Sequence, residues 1–339
     1  MKKRILAAVF AALILCGCAA RTEETAGAYA PAEADRVVIY TPHKEAVYAP
    51  IVKEFEERTG IWVQVVTGGT SELLEQVAAE GDAPVCDVVF GGGVESLAAY
   101  GAYFEPYICA EAVMLRREFR AKDNLWTPIS ALPIVLIYNT KLVSPGQLTG
   151  WSDLLTGDWQ GKIAFADPTV SGSSYTAVMT LLAALPGDPW DTLERFTDAL
   201  DGQILPDSGD VAAAVADGSC YVGVTLEDTA LRWRNEGAEI GVVYPKEGTS
   251  GVPDGCALVS GAPHGDNARA FLDFIQSRDV QGLMVERFSR RSVRTDVMDD
   301  PALPPFDELN LLDYPLDWAA AEKEEFVERW AVLAQEAVL

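Results

Sequence analysis

Residues 163–182 read IAFADPTVSGSSYTAVMTLL, and this stretch decides the fold. Residues 163–166 are apolar and predict a short strand, Asp167 and Pro168 stop it, and Gly172 lets the backbone turn. Ser173 or Ser174 then caps an apolar helix that continues through Leu182. A helix start of this kind points unpaired N–H groups and the positive end of its dipole outward, and Ser171, Ser173, Ser174 and Thr176 add uncharged donors. Together these groups form a cradle for an anion.

The same unit recurs upstream. Residues 37–40 (VVIY), 62–66 (WVQVV) and 88–90 (VVF) are strand-like. They are followed by the polar loops TPHKE (41–45), TGGTS (67–71) and GGGVE (91–95), and each loop leads into a helical pattern. Alternation of strand and helix predicts α/β architecture, with parallel strands joined by right-handed crossovers. Ligands in such sheets sit outside the carboxyl ends of the strands, so His43, Thr70, Ser71 and Glu95 are expected along one edge. The triple glycine has neither the spacing of a dinucleotide fingerprint nor that of a phosphate loop.

Downstream, residues 134–138 (IVLIY) form a continuous apolar run, as expected of a strand buried on both faces, and mark a first crossing into a second lobe. In that lobe Asp207 follows residues 204–206, and Glu227 follows the strand at 221–224, so both acids are expected at the ligand edge. The turn-rich residues 245–253 are the second crossing, after which 256–259 return the chain to the first lobe. Arg290, Arg291 and Arg294 are expected to pair with surface carboxylates. The expected division is lobe 1 at 36–133 and 254–339, and lobe 2 at 134–253.

The N-terminus reads as a targeting segment. MKKR, an apolar run at 5–15 and LCGC at 15–18 predict a signal peptide over 1–17, and the small, polar, proline-containing residues 18–35 predict a flexible tether. The apolar run is short for a membrane-spanning helix. Removing Lys2, Lys3 and Arg4 takes the formal charge from −25 to −28. An excess that large argues against nucleic acid as a partner, since Lys and Arg supply most of that affinity. Cys86, Cys109, Cys220 and Cys256 show no metal-ligand spacing and are read as either disulfide-bonded or buried free thiols. With two histidines, no GxSxG elbow and no HExxH, catalysis is not expected, nor is a cofactor or a metal.

Taken as an ordered set, the Cys18 signal, VVIYTPHKEAV, TGGTSELL, DVVFGGGVESL, IVLIYNT, WQGKIAFADPTVSGSSYTAV and RRSVRTDV resemble solute-binding lipoproteins of ABC importers. The resemblance is to the branch that takes ferric iron, hexose phosphates or phosphonates. It implies a two-lobe type II periplasmic-binding-protein fold, each lobe a mainly parallel sheet flanked by helices, with two interlobe crossings. It also implies a lipid on Cys18, an extracytoplasmic or periplasmic location at the outer face of the membrane, and permease and ATPase partners. A monomer is expected. Ferric binders of this branch use a histidine, an acid and two adjacent tyrosines. His43 and Glu95 match the first two, but Thr225, Leu226, Glu227 and Asp228 stand where the tyrosines would be. The resemblance therefore favours a small anionic solute, a hexose phosphate ahead of a phosphonate. Ser171, Gly172, Ser173, Ser174 and Thr176 would hold the phosphate, with Thr70, Ser71 and His43 opposite and Asp207 and Glu227 orienting the remainder. Ferric iron, and a sensory role beside a membrane kinase, are the alternatives.

Overall fold

The computed structural model describes residues 31–336, so the expected signal peptide, Cys18 and most of the tether lie outside the described residues. The β-branched runs form strands as their composition dictates. β1 (Arg36–Thr41), β2 (Trp62–Thr67) and β3 (Val88–Gly93) run parallel with β1 in the middle. They are connected through α1 (Glu45–Thr59) and α2 (Thr70–Glu80), and α3 (Val94–Ala99) leaves directly from β3. The chain passes β4 (Phe104–Glu105) and β5 (Thr127–Ala131), and then crosses through Leu132 and Pro133 into β6 (Ile134–Asn139).

The second lobe carries α4 (Trp151–Leu154), β7 (Ile163–Ala166), α5 (Gly172–Ala184), α6 (Pro189–Leu200), β8 (Ile204–Leu205) and α7 (Gly209–Ala216). It continues through β9 (Val222–Leu226), α8 (Glu227–Asn235) and β10 (Ile240–Val243). The return strand β11 (Pro253–Val259) leads to α9 (Gly265–Gln276), α10 (Arg278–Phe288) and β12 (Arg291–Ser292), and the described chain ends with α11 (Leu316–Ala321) and α12 (Lys323–Glu336). The first sheet has the order β12-β5-β11-β3-β1-β2, with β4 added to β11, and the second has β10-β6-β9-β7-β8.

Both sheets are buried on two faces, and the alternation of strand side chains shows it. Val37 and Ile39 enter one apolar cluster while Val38 and Tyr40 enter another; Ile134 and Leu136 divide from Val135 and Ile137 in the same way. The sheets were expected to be mainly parallel, and each combines a parallel set with antiparallel neighbours. β2-β1-β3 and β9-β7-β8 are parallel, but β11 pairs antiparallel with β3 and β5, and β6 pairs antiparallel with β9 and β10. The reason lies in the crossings, since a strand arriving from the other lobe begins at the edge where its neighbours end. All the loops between the lobes therefore converge on one cleft.

The C-terminal tail departs from the expected division. Phe326 and Trp330, one helical turn apart on α12, pack with Ala319 into the second lobe's core beside Phe165 and Tyr175. Full burial of each aromatic contributes about 1.5–3 kcal/mol. Residues 316–336 therefore strap across both lobes, and Lys323 Nζ donates to Ser96 Oγ of the first lobe at 2.7 Å. The four cysteines are buried free thiols.

Candidate functional site

The cleft between the lobes is a cavity of about 750 Å³. Its wall is built from loops at strand ends. Thr41 ends β1 and His43 and Lys44 follow it, Thr67 ends β2 and Gly68 to Thr70 follow it, and Gly92 and Gly93 close β3. From the second lobe come Ser171, Gly172, Ser173 and Thr176 after β7, Asp207 after β8, and Thr225, Asp228 and Thr229 at the end of β9.

The helix start forms as its hydroxyls predict, with the cap at Ser171, two positions before Ser173. Ser171 is the N-cap, its Oγ accepting the Ser174 N–H at 3.3 Å. The amides of Gly172 and Ser173, the first two of α5, are thus left among the N–H groups with no intrahelical acceptor. Opposite stands Thr70, so close that a Cβ on Gly172 would lie 2.7 Å from Thr70 Oγ1. The lobes also meet where Lys44 Nζ donates to Asp207 at 2.6 Å.

Several expected residues are not on the wall. Glu95 is fully buried behind it, accepting a hydrogen bond from Thr176 across the lobes. Burial raises its pKa above the usual carboxylate range. Glu227 is 1 % exposed and forms a two-pronged ion pair with Arg291, at 2.7 and 2.9 Å, while the Tyr244 hydroxyl donates to the same carboxylate. Both of its oxygens are engaged, so it does not orient a ligand. Ser71 and Ser174 are not among the residues that line the cleft. His43, Thr70, Ser171, Gly172, Ser173, Thr176 and Asp207 do lie on it.

The arginines missed by composition are the other half of the site. Arg290 is 6 % exposed and lies on the cleft wall, donating from Nε to Asp228 and from Nη1 to Asp254, each at 2.9 Å. Asp254 is fixed in turn by the amide and hydroxyl of Ser130. These carboxylates are buried, where surface pairing was expected for the arginine cluster. The adjacent arginines mark the position but not its depth. Arg291 and Arg294 are buried too, with Arg294 held by Asp296 and Glu111.

His43 touches the same cluster, its Nε2 lying 3.4 Å from Asp254 Oδ2. Burial, reinforced by the positive charge of Arg290, pushes its pKa well below 6.5, so the imidazole is neutral in the folded protein. An unfolded chain protonates this histidine near pH 6.5. His43 therefore adds stability that is fully present above that pH and lost as pH falls below it, toward the depressed folded value. Chemical denaturation of the wild type and His43→Gln from pH 8 to 5 is expected to show a constant difference above pH 7. Below pH 6.5 the wild type should lose ground; a difference independent of pH would contradict the neutral assignment. Among the described residues no group of three or more His, Cys, Asp or Glu side chains is arranged to hold a metal ion.

Two mixed sheets with every interlobe loop gathered on one hydroxyl-lined cleft define a two-lobed small-molecule binding protein. The chain belongs to the family described as bacterial extracellular solute-binding protein, which matches residues 37–287. A probable ABC transporter periplasmic-binding protein, y4fP, of Sinorhizobium fredii is 26 % identical over 301 residues, covering 86 % of this chain and 83 % of the relative. An Fe(3+)-binding periplasmic protein of Serratia marcescens is 26 % identical over 296 residues, covering 84 % of this chain and 86 % of the relative. Among solved structures, the periplasmic binding protein AfuA from Actinobacillus pleuropneumoniae, with exogenous fructose-6-phosphate bound, superposes with a TM-score of 0.81 at 24 % identity. It covers 88 % of this chain and 98 % of that one.

Proposed function

We propose that this protein is the extracytoplasmic solute-capturing lipoprotein of an ABC importer, anchored through Cys18. Its ligand is a small organic phosphate, a hexose phosphate ahead of a phosphonate, which it hands unchanged to a permease and its ATPase. The observation that carries this reading is the start of α5. The Gly172 and Ser173 amides and the Ser171 and Ser173 hydroxyls start α5 on the cleft wall, with Thr70 of the other lobe against Gly172, and none of them brings a competing charge. Such donors suit a phosphoryl group. The solute that AfuA holds in its solved structure is of the same class, and the buried position of Glu95 weighs against ferric iron here. Each charge-assisted hydrogen bond is worth about 1.5–3 kcal/mol, so three or four supply about 4.5–12 kcal/mol against the cost of association.

Calorimetric titration of metal-free protein with fructose 6-phosphate, 2-aminoethylphosphonate and ferric citrate tests the assignment. A phosphate ester is expected to bind at roughly micromolar concentration. Uptake of iron with no response to either phosphorus compound would overturn it. Ser173→Ala is expected to weaken every phosphate ester by about tenfold, the worth of one such bond. An unchanged affinity would remove the α5 cradle from the account.

A further inference from the structure

The wall of the cleft is formally neutral inside a chain of net charge −25, with Lys44, Arg232, Arg287 and Arg290 against Glu45, Asp207, Asp228 and Asp254. Most of these charges are already spent on each other. Lys44 pairs with Asp207, and Arg290 with Asp228 and Asp254. Arg232 and Arg287 form no salt bridge and no side-chain hydrogen bond among the described residues, and both are exposed. With Glu45 the one lining acid likewise left over, the uncommitted charge on the wall sums to +1.

The two arginines come from different lobes, and each lies about one helical turn in sequence from the Asp228–Arg290 contact between them. Arg287 lies in the last turn of α10, just before β12, the far edge strand of the first sheet from β2 and its Thr70 loop. Arg232 lies on α8, one turn beyond the Asp228 that meets Arg290 across the lobes. The phosphate cradle at Ser173 and Thr70 draws on the starts of α5 and α2, and the arginine pair on α8 and α10. A cavity of about 750 Å³ is in the range that holds a whole organic molecule.

We propose that Arg232 and Arg287 together hold a second anionic group of the solute, so that the ligand carries oxyanions at both ends, as a sugar bisphosphate or a phosphorylated sugar acid does. The proposal rests on the organophosphate reading and narrows it. A planar guanidinium matches a phosphate or carboxylate edge with two parallel hydrogen bonds. With one arm on each lobe, the second anion is gripped only when the cleft closes.

Titration with glucose 6-phosphate and glucose 1,6-bisphosphate at physiological salt tests this. The wild type is expected to prefer the bisphosphate at least about tenfold, the scale of one charge-assisted contact. The Arg232→Gln, Arg287→Gln double variant should lose that preference while holding the monophosphate as before. Both side chains are exposed, and circular dichroism checks that the variant is folded; the two single variants, each expected to lose part of the preference, serve if it is not. Monophosphate binding with no preference for the bisphosphate overturns the second site and leaves the organophosphate reading standing. A parallel loss for both ligands in the variant also overturns it, since the arginines would then act as general attraction. Binding of neither ligand by the wild type removes both proposals.

Discussion

Glu227→Gln is expected to lower the free energy of unfolding by about 3–5 kcal/mol, because it strands the Arg291 guanidinium in a site that water does not reach. Both partners are 1 % exposed, and Arg291 holds the carboxylate with Nε at 2.7 Å and Nη2 at 2.9 Å while Nη1 donates to the Pro304 carbonyl. A glutamine accepts at one of those positions and turns an N–H toward the other, and the Tyr244 hydroxyl loses a charged acceptor. The pair also joins α8 of the second lobe to β12 of the first, so the loss should loosen the lobes together. Urea unfolding at an unchanged m-value measures it. Removing both charges in a Glu227→Leu, Arg291→Met variant should restore much of the stability, as replacement of buried pairs by apolar residues of similar volume commonly does. A Glu227→Gln protein of wild-type stability with an altered order of preferred sugars would return this residue to the ligand.

The contrast between Glu227 and its neighbour shows where sequence reading stops. The strand, loop and helix units are legible because β-branched runs alternate with glycine-bearing loops, and 134–138 is apolar enough to declare a strand buried on both faces. The edge on which the ligand sits follows from that alternation. What is not legible is which of two adjacent polar residues faces the cleft. At a helix start successive side chains diverge by about 100°, so Asp228 reaches the wall and Arg290 while Glu227 turns inward to Arg291. Thr70 and Ser71, and Ser173 and Ser174, divide in the same way, one of each pair on the wall. Their residue types are too alike for composition to choose. Arg290 and Arg291 share a dipeptide, yet only Arg290 reaches the cleft, and nothing local reports that their partners are buried. The docking of Phe326 and Trp330 on the second lobe is a contact across more than a hundred residues, which a local amphipathic pattern does not encode.

Gly172→Val is expected to weaken ligand binding by about 10- to 100-fold while leaving the unfolding free energy of the ligand-free protein nearly unchanged. A Cβ at this position would stand 2.7 Å from Thr70 Oγ1, 3.1 Å from its Cβ and 3.2 Å from its Cγ2. Thr70 is 5 % exposed, and its β-branched side chain is restricted at χ1, so it has little room to retreat. The two residues lie on opposite lobes, and the collision therefore exists only when the lobes are together. Overpacking of this kind costs about 1–3 kcal/mol, charged entirely to the closed state. At 1.4 kcal/mol per tenfold change in affinity, that strain sets the expected loss. Calorimetry gives the affinity, and solution scattering should show less compaction on adding a phosphate ester than the wild type shows. Thr70→Ala in the same chain removes two of the three colliding atoms, so the double variant should recover more affinity than additivity allows, a coupling that two separate binding defects would not produce. Wild-type affinity and full compaction in Gly172→Val would mean that ligand is held without this contact, and that the α5 start and the Thr70 loop do not grip it together.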